Sequence, residues 1–133
     1  MSSSDLADAL GMAQGRPVFV ATADAACLPH LACAGRLRAA PEGRVLVTEW
    51  FCPGTVGNVA ENPRVSLVVW DEEADAGYQL LGSVERVDEM GILDGYAPQA
   101  EPAGPLPQVQ RRLVVRVERV LKFRRAPHAD VEE

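Results

Sequence analysis

The sequence predicts a mainly β protein, a closed or partly closed antiparallel barrel of about six strands with two or three short helices. Three observations lead there. Short β-branched and aromatic runs recur between turn residues along most of the chain. The segments with helical spacing are few and short, and few strand–helix–strand units are visible. At 133 residues the chain has room for one ordinary core, so residues 1–133 are expected to form a single domain. Residues 1–4 and 126–133 are expected to be flexible ends.

The elements follow in order. Asp5 to Ala13 places Leu6, Leu10 and Ala13 on one side of a short amphipathic helix that Gly15, Arg16 and Pro17 end. Val18 to Thr22 reads as a buried strand, and Leu28 to Ala39 pairs back on it across the turn-like Ala23, Asp24 and Ala25. Pro41, Glu42 and Gly43 give the next turn, and Arg44 to Trp50 a third strand, so the spacing is that of a meander. Val56, Val59 and Ala60 mark a short helix from Thr55 to Glu61, with Thr55 as its N-cap and Asn62-Pro63 as its stop.

Arg64 to Trp70 is apolar on both faces, which predicts a central strand. Tyr78 to Val87 carries Gly82 in its middle, where glycine marks a bulge, a sharp bend or a close approach. Met90 to Tyr96 has room for one or two helical turns, and Ala97 to Pro107, with four prolines, is an irregular loop. Leu113 to Phe123 is the final strand.

Charge and composition exclude several functions. A net charge of −6 and a short basic cluster of Lys122, Arg124 and Arg125 oppose nucleic-acid binding, which draws on clustered cations. No apolar run is long enough to span a bilayer, and Met1 to Asp8 lacks the basic start and apolar centre of a secretion signal, so the cytoplasm is the expected location and no membrane is an expected partner. Cys27, Cys33 and Cys52, an odd count, fit reduced thiols, and with only His30 and His128 beside them no metal site is expected. Paired carboxylates and a Ser-His-Asp set are both missing, which argues against hydrolysis.

Four runs carry a resemblance. They are Val18-Phe19-Val20-Ala21-Thr22, Leu28-Pro29-His30-Leu31, Thr55-Val56-Gly57-Asn58-Val59-Ala60-Glu61-Asn62-Pro63-Arg64-Val65 and Tyr78-Gln79-Leu80-Leu81-Gly82. In their order the chain resembles the pyridoxamine 5'-phosphate oxidase-like FMN-binding split barrels, across residues 16 to 88, with the last strand matching in pattern only. The most specific piece is the Thr-x-x-Asn-hydrophobic-x-x-Asn-Pro-x-Val run. The resemblance implies a six-stranded split β-barrel, a homodimer, and FMN in a groove between the subunits. An isologous dimer is also the commonest way to cover the apolar face that so small a barrel leaves exposed.

A flavin site needs a phosphate pocket and a flat wall for the ring. The resemblance places the phosphate at Thr55, whose hydroxyl joins the amides of Val56 and Gly57 at the positive end of a helix. Thr55 as a plain cap and Gly57 as a packing glycine is the competing reading. Asn58 is expected to bond backbone near the phosphate end.

Related sequences often carry cations where this chain has Gly54, Gly57 and Ala34, and Arg36 or Arg38 are the candidates to replace them, unless both are ordinary surface arginines. Trp50 and Phe51 would flank the ring or else serve as core or dimer contacts. Cys52 is read either as redox-active or as a packing residue. His30 would approach the ring or its substrate, or be a structural histidine.

Two functions from different classes compete. One is a flavoprotein in which FMN carries electrons or hydride and the protein orients it. The other is a non-enzymatic barrel dimer that has lost the flavin and binds another small ligand or a protein. The missing cations leave the cofactor open between FMN, a deazaflavin and none. They also count against true pyridoxamine phosphate oxidation, which needs a second basic pocket. Proteins of the same fold serve haem utilisation and deazaflavin reduction, and fold alone does not choose among these roles.

Overall fold

The computed structural model describes residues 3–50, 53–92, 109–125 and 129–132. Two helices, α1 (Ser3–Met12) and α2 (Pro53–Glu61), accompany eight strands. These are β1 (Val18–Ala23), β2 (Pro29–Ala34), β3 (Arg36–Ala40), β4 (Arg44–Trp50), β5 (Arg64–Asp71), β6 (Ala76–Ile92), β7 (Val109–Arg124) and β8 (Ala129–Glu132). The antiparallel, mainly β class expected from the sequence is the observed one.

Strand order runs β2-β1-β5-β6-β7-β4-β3, with β8 paired to β7. β2 and β3 lie at opposite ends of this path yet follow each other in the chain, joined by Gly35 alone. The chain itself therefore links the two edges of the sheet, and the barrel closes at one bend. That bend corrects the expected single strand from Leu28 to Ala39. Residues up to Ala34 pair with β1, whereas Arg36 onward pairs with β4.

The strand count of six becomes eight through this break and through β8, which lies in the C-terminal segment expected to be flexible. The simple meander is corrected as well, because β1 pairs with β5 and β4 with β7. Of the segment Met90 to Tyr96, expected to hold helical turns, Met90 to Ile92 instead extend β6, with Gly91 opposite Gln110 and Ile92 opposite Val109. Residues 93–108, including the proline-rich stretch, lie outside the described residues.

Alternation builds the core. Val18, Val20, Leu37, Val45, Val47 and Leu67 point inward at 2% exposure or less, and β5 takes the central place expected of it, between β1 and β6. Ala9 and Ala13 carry α1 onto this core, and Val59 and Thr55 carry α2. α1 packs on β3, β5 and β6, whereas α2 packs on β1 and β2. Tight turns set the ends of the strands. Glu42 and Gly43 both have positive φ at the β3–β4 turn, and the Asp24 carboxylate accepts the amides of Ala26 (2.8 Å) and Leu28 (2.9 Å) at the β1–β2 turn.

Candidate functional site at the start of α2

Pro53 opens α2, so Thr55 sits in the first turn and is not the N-cap. Proline suits that opening position because its fixed φ matches a helix and the amide it lacks would have no partner there. The amides of Gly54 and Thr55 remain as first-turn donors without intrahelical acceptors.

Thr55 is fully buried, and its Oγ1 lies 3.5 Å from Nδ1 of His30 on β2. The same imidazole covers Gly54: a Cβ added there would stand 3.1 Å from His30 Nε2. One turn later, Asn58 Nδ2 donates to the buried Thr22 Oγ1 at 3.0 Å. The end of β1, the start of β2 and the first turns of α2 are thus tied by side chains. The register explains why they meet, since Thr22 and His30 are cross-strand partners on β1 and β2.

The site residues expected from the sequence separate into groups. His30, Thr55 and Asn58 come together. Val56 is half-buried, and Gly57 is exposed, with nothing within 4 Å of an added Cβ. Trp50 ends β4 opposite Arg111, while Phe51 and Cys52 lie outside the described residues.

Arg36 is set apart. It lies beyond the Gly35 bend, exposed on β3 opposite Thr48, and lines a recess of about 320 Å³ with Arg38 and Gln14. His30 and Ala34 alone are separated by roughly 13 Å of strand rise. Ala34 is buried, so its place on β2 faces the interior. Thr22 is a contact that sequence reasoning missed and no local pattern signals, whereas Gly54, noted for its missing cation, is found under the His30 ring. Pro53 was the available signal for where the helix starts.

Chemically the cluster offers the Gly54 amide and the His30 imidazole at the positive end of a helix, donors suited to an anion, with the buried Thr55 hydroxyl beside the imidazole. Among the described residues no group of three or more His, Cys, Asp or Glu is placed to hold a metal, and no helix is long and apolar enough to cross a membrane.

Solved structures share the fold. A protein related to general stress protein 26, of the pyridoxinephosphate oxidase family, from Clostridium acetobutylicum superimposes with a TM-score of 0.67 at 15% identity, covering 100% of this chain and 96% of that one. A pyridoxamine 5'-phosphate oxidase-related, FMN-binding protein from Nostoc punctiforme PCC 73102 gives 0.61 at 11% identity, covering 100% and 98%. HutZ, the heme storage protein from Vibrio cholerae, gives 0.54 at 14%, covering 89% and 92%. None of the curated proteins matches the sequence closely enough to count as a relative. The family model described as pyridoxamine 5'-phosphate oxidase matches residues 9–123, which is most of the chain and includes α2 and the strands that carry Thr22 and His30. The chain belongs to the pyridoxamine 5'-phosphate oxidase family.

Proposed function

We propose that this protein binds FMN and works as a redox protein, with the flavin phosphate at the first turn of α2 and a homodimer as the working form. The observation that carries the reading is the seating of His30 on Gly54 and Thr55. Where related sequences often carry a lysine, this chain has a glycine, and the His30 ring stands in the space a longer side chain would need. The imidazole and the glycine are complementary choices. The Gly54 amide and His30 would hold a phosphate monoester, with the buried Thr55 hydroxyl beside the imidazole, and the Asn58–Thr22 bond fixes the helix against β1, the strand paired with the one that brings His30. Bound FMN would supply electron or hydride transfer, with the protein setting its orientation.

The dimer reading is supported by β2. Leu28 and Leu31 are 67% and 65% exposed, Cys33 is exposed beside them, and among the described residues β2 pairs only with β1. An edge strand with exposed leucines and no Lys, Arg, Asp or Glu is a surface that proteins usually cover.

FMN titrated into the purified protein is expected to lose fluorescence with a single-site isotherm, and His30→Ala to weaken binding at least tenfold with an unchanged far-UV spectrum. A protein purified without yellow colour that quenches no FMN fluorescence would refute the reading. That outcome favours a barrel that has given up the flavin, for which the exposed Gly57 and the buried Ala34 in place of cations speak.

A further inference from the structure

The outward faces of β3, β4, β7 and β6 carry Arg36, Arg38, Arg44, Arg112, Arg116 and Arg86, in a chain whose net charge is −6. On that face a groove of about 590 Å³ opens between Arg44 on one side and Arg86 with Arg112 on the other. Its floor is apolar. Leu46 on β4 opposes Val114 on β7, and Val114 opposes Arg86 on β6, so all three stand in one row across the sheet.

Three acids match the three arginines of the groove and are arranged as clamps, Glu85 being itself part of the lining, so the excess positive charge of this face comes from its neighbours Arg38, opposite Leu46, and Arg116, opposite Arg44. Asp88 accepts from Arg86 Nε at 2.7 Å and Nη2 at 3.3 Å, and from Arg112 Nη2 at 2.7 Å and Nε at 3.1 Å. Two guanidinium cations thus share one carboxylate, which orients both and leaves a positive charge on that wall, opposite the wall where Arg44 meets two carboxylates. Each guanidinium has five N–H donors, so both keep donors beyond those that Asp88 takes. Arg44 is held in turn by Glu85, through Nε and through Nη2 at 3.2 Å, and by Glu42 at 3.1 Å.

We infer that this groove is a second small-molecule site, for a planar organic anion with an apolar body, such as an aromatic carboxylate. The carboxylate would take a bidentate guanidinium contact, and the ring would lie on Leu46 and Val114 with an arginine plane against its face. The volume falls within the range of about 300–1,000 Å³ usual for ligand pockets. α2 packs on β1 and β2, so the groove is separate from the cluster at Thr55 and does not depend on the flavin reading.

The test is naphthalene-2-carboxylate titrated into the full chain, followed by amide resonances, with and without saturating FMN. One site is expected, with shifts concentrated around Leu46, Arg86, Arg112 and Val114. Affinity should fall at least tenfold in the R86Q/R112Q double variant, and the neutral naphthalene-2-methanol should bind at least tenfold more weakly. The exposed single variant R86Q and the floor variant L46E, each checked by circular dichroism, stand in should the double variant not fold. Shifts centred elsewhere, wild-type affinity in these variants, or equal binding of the neutral alcohol would overturn the inference. Displacement of the naphthoate by FMN would overturn it too, since the groove would then be the flavin's own seat.

Discussion

Gly82 is the position where one added carbon should cost most. It is buried in β6 at the point where the pairing slips: Leu81 opposes Arg119 and Gly82 opposes Val117, so Glu118 is the extra residue of a bulge in β7. The bulge brings the β7 backbone onto Gly82. A Cβ there would lie 2.1 Å from the Arg116 carbonyl oxygen and 3.1 Å from the Val117 Cα. An unstrained carbon–oxygen contact needs about 3.3 Å, so the two strands would have to part by about 1 Å, and backbone cannot swing aside as a side chain can. Overpacking of this kind costs about 1–3 kcal/mol, and each ladder hydrogen bond lost beside it about 1 kcal/mol more. Gly82→Ala is therefore expected to destabilise by roughly 3–4 kcal/mol, a large share of the 5–15 kcal/mol typical of a domain. With an unfolding entropy of about 2.1 cal/mol/K per residue, the melting temperature should fall by about 10–15 °C. Gly57→Ala is the control of opposite sign. Its Cβ would meet nothing within 4 Å, and alanine is the better helix former by up to about 1 kcal/mol, so the melting temperature should rise by about 2–4 °C. Thermal unfolding followed by far-UV circular dichroism reads both. A Gly82→Ala protein melting within about 3 °C of the parent would show that the β6–β7 contact is not as tight as the geometry requires.

The Asn58–Thr22 bond should appear in a double-mutant cycle. Asn58→Ala and Thr22→Val are each expected to destabilise by about 1 kcal/mol, with a coupling of about 0.5–1.5 kcal/mol in urea unfolding; strictly additive effects would mean the bond contributes nothing. The Asp88 carboxyl is held below its ordinary range, first by its hydrogen bond from Arg86 and then by that from Arg112. A carboxyl held low in the folded state adds stability above its unfolded pKa, and that contribution is lost as pH falls through the lowered folded value. A carboxyl-carbon NMR titration should thus place the Asp88 midpoint below the ordinary aspartate value, and Arg86→Gln should move it up; a midpoint at the ordinary value would contradict the shared clamp. Glu85, held low chiefly by its hydrogen bond from Arg44, should respond to Arg44→Gln in the same direction.

Gly82 was legible in the sequence alone, because a glycine inside a strand has few physical explanations, and a bulge with a close backbone approach is the one that applies. The central place of β5 was legible for a similar reason, since both its faces are apolar. The break at Gly35 was not. From Leu28 to Ala39 only Gly35 interrupts the run: the inward positions shift phase there, from Ala32 and Ala34 to Leu37, and the partner strand changes from β1 to β4, which no local pattern encodes. Met90 to Ile92 misled in the opposite sense: helical spacing yielded to the ladder that β7 offers at Val109 and Gln110. At the candidate site, Thr55 and Asn58 could be found from the Thr55 to Val65 run. Their partners could not, because Thr22 and His30 reach α2 only after β1 and β2 have paired.

That same bend decides which residues can share a chemistry. β2 carries His30 at the end near α2 and Ala34 at the end near Gly35, and the chain then turns outward onto β3. A cation meant to replace a lysine near Thr55 is well placed on the His30 end of β2. Arg36, which sequence order made the natural substitute, instead joins the guanidinium-rich outer face with Arg44, Arg86 and Arg112. Anion-binding capacity is thereby divided between two places with different hardware: an imidazole and a helix amide at α2, and oriented guanidiniums over an apolar floor on the sheet. The first suits a compact phosphate, which wants convergent N–H donors more than apolar contact. The second suits a flat carboxylate, which wants a fork of donors and a surface to lie on. Exchanging the two ligands between the two sites would leave donors unmatched in one and apolar surface uncovered in the other, so a single anion is not expected to bind well at both.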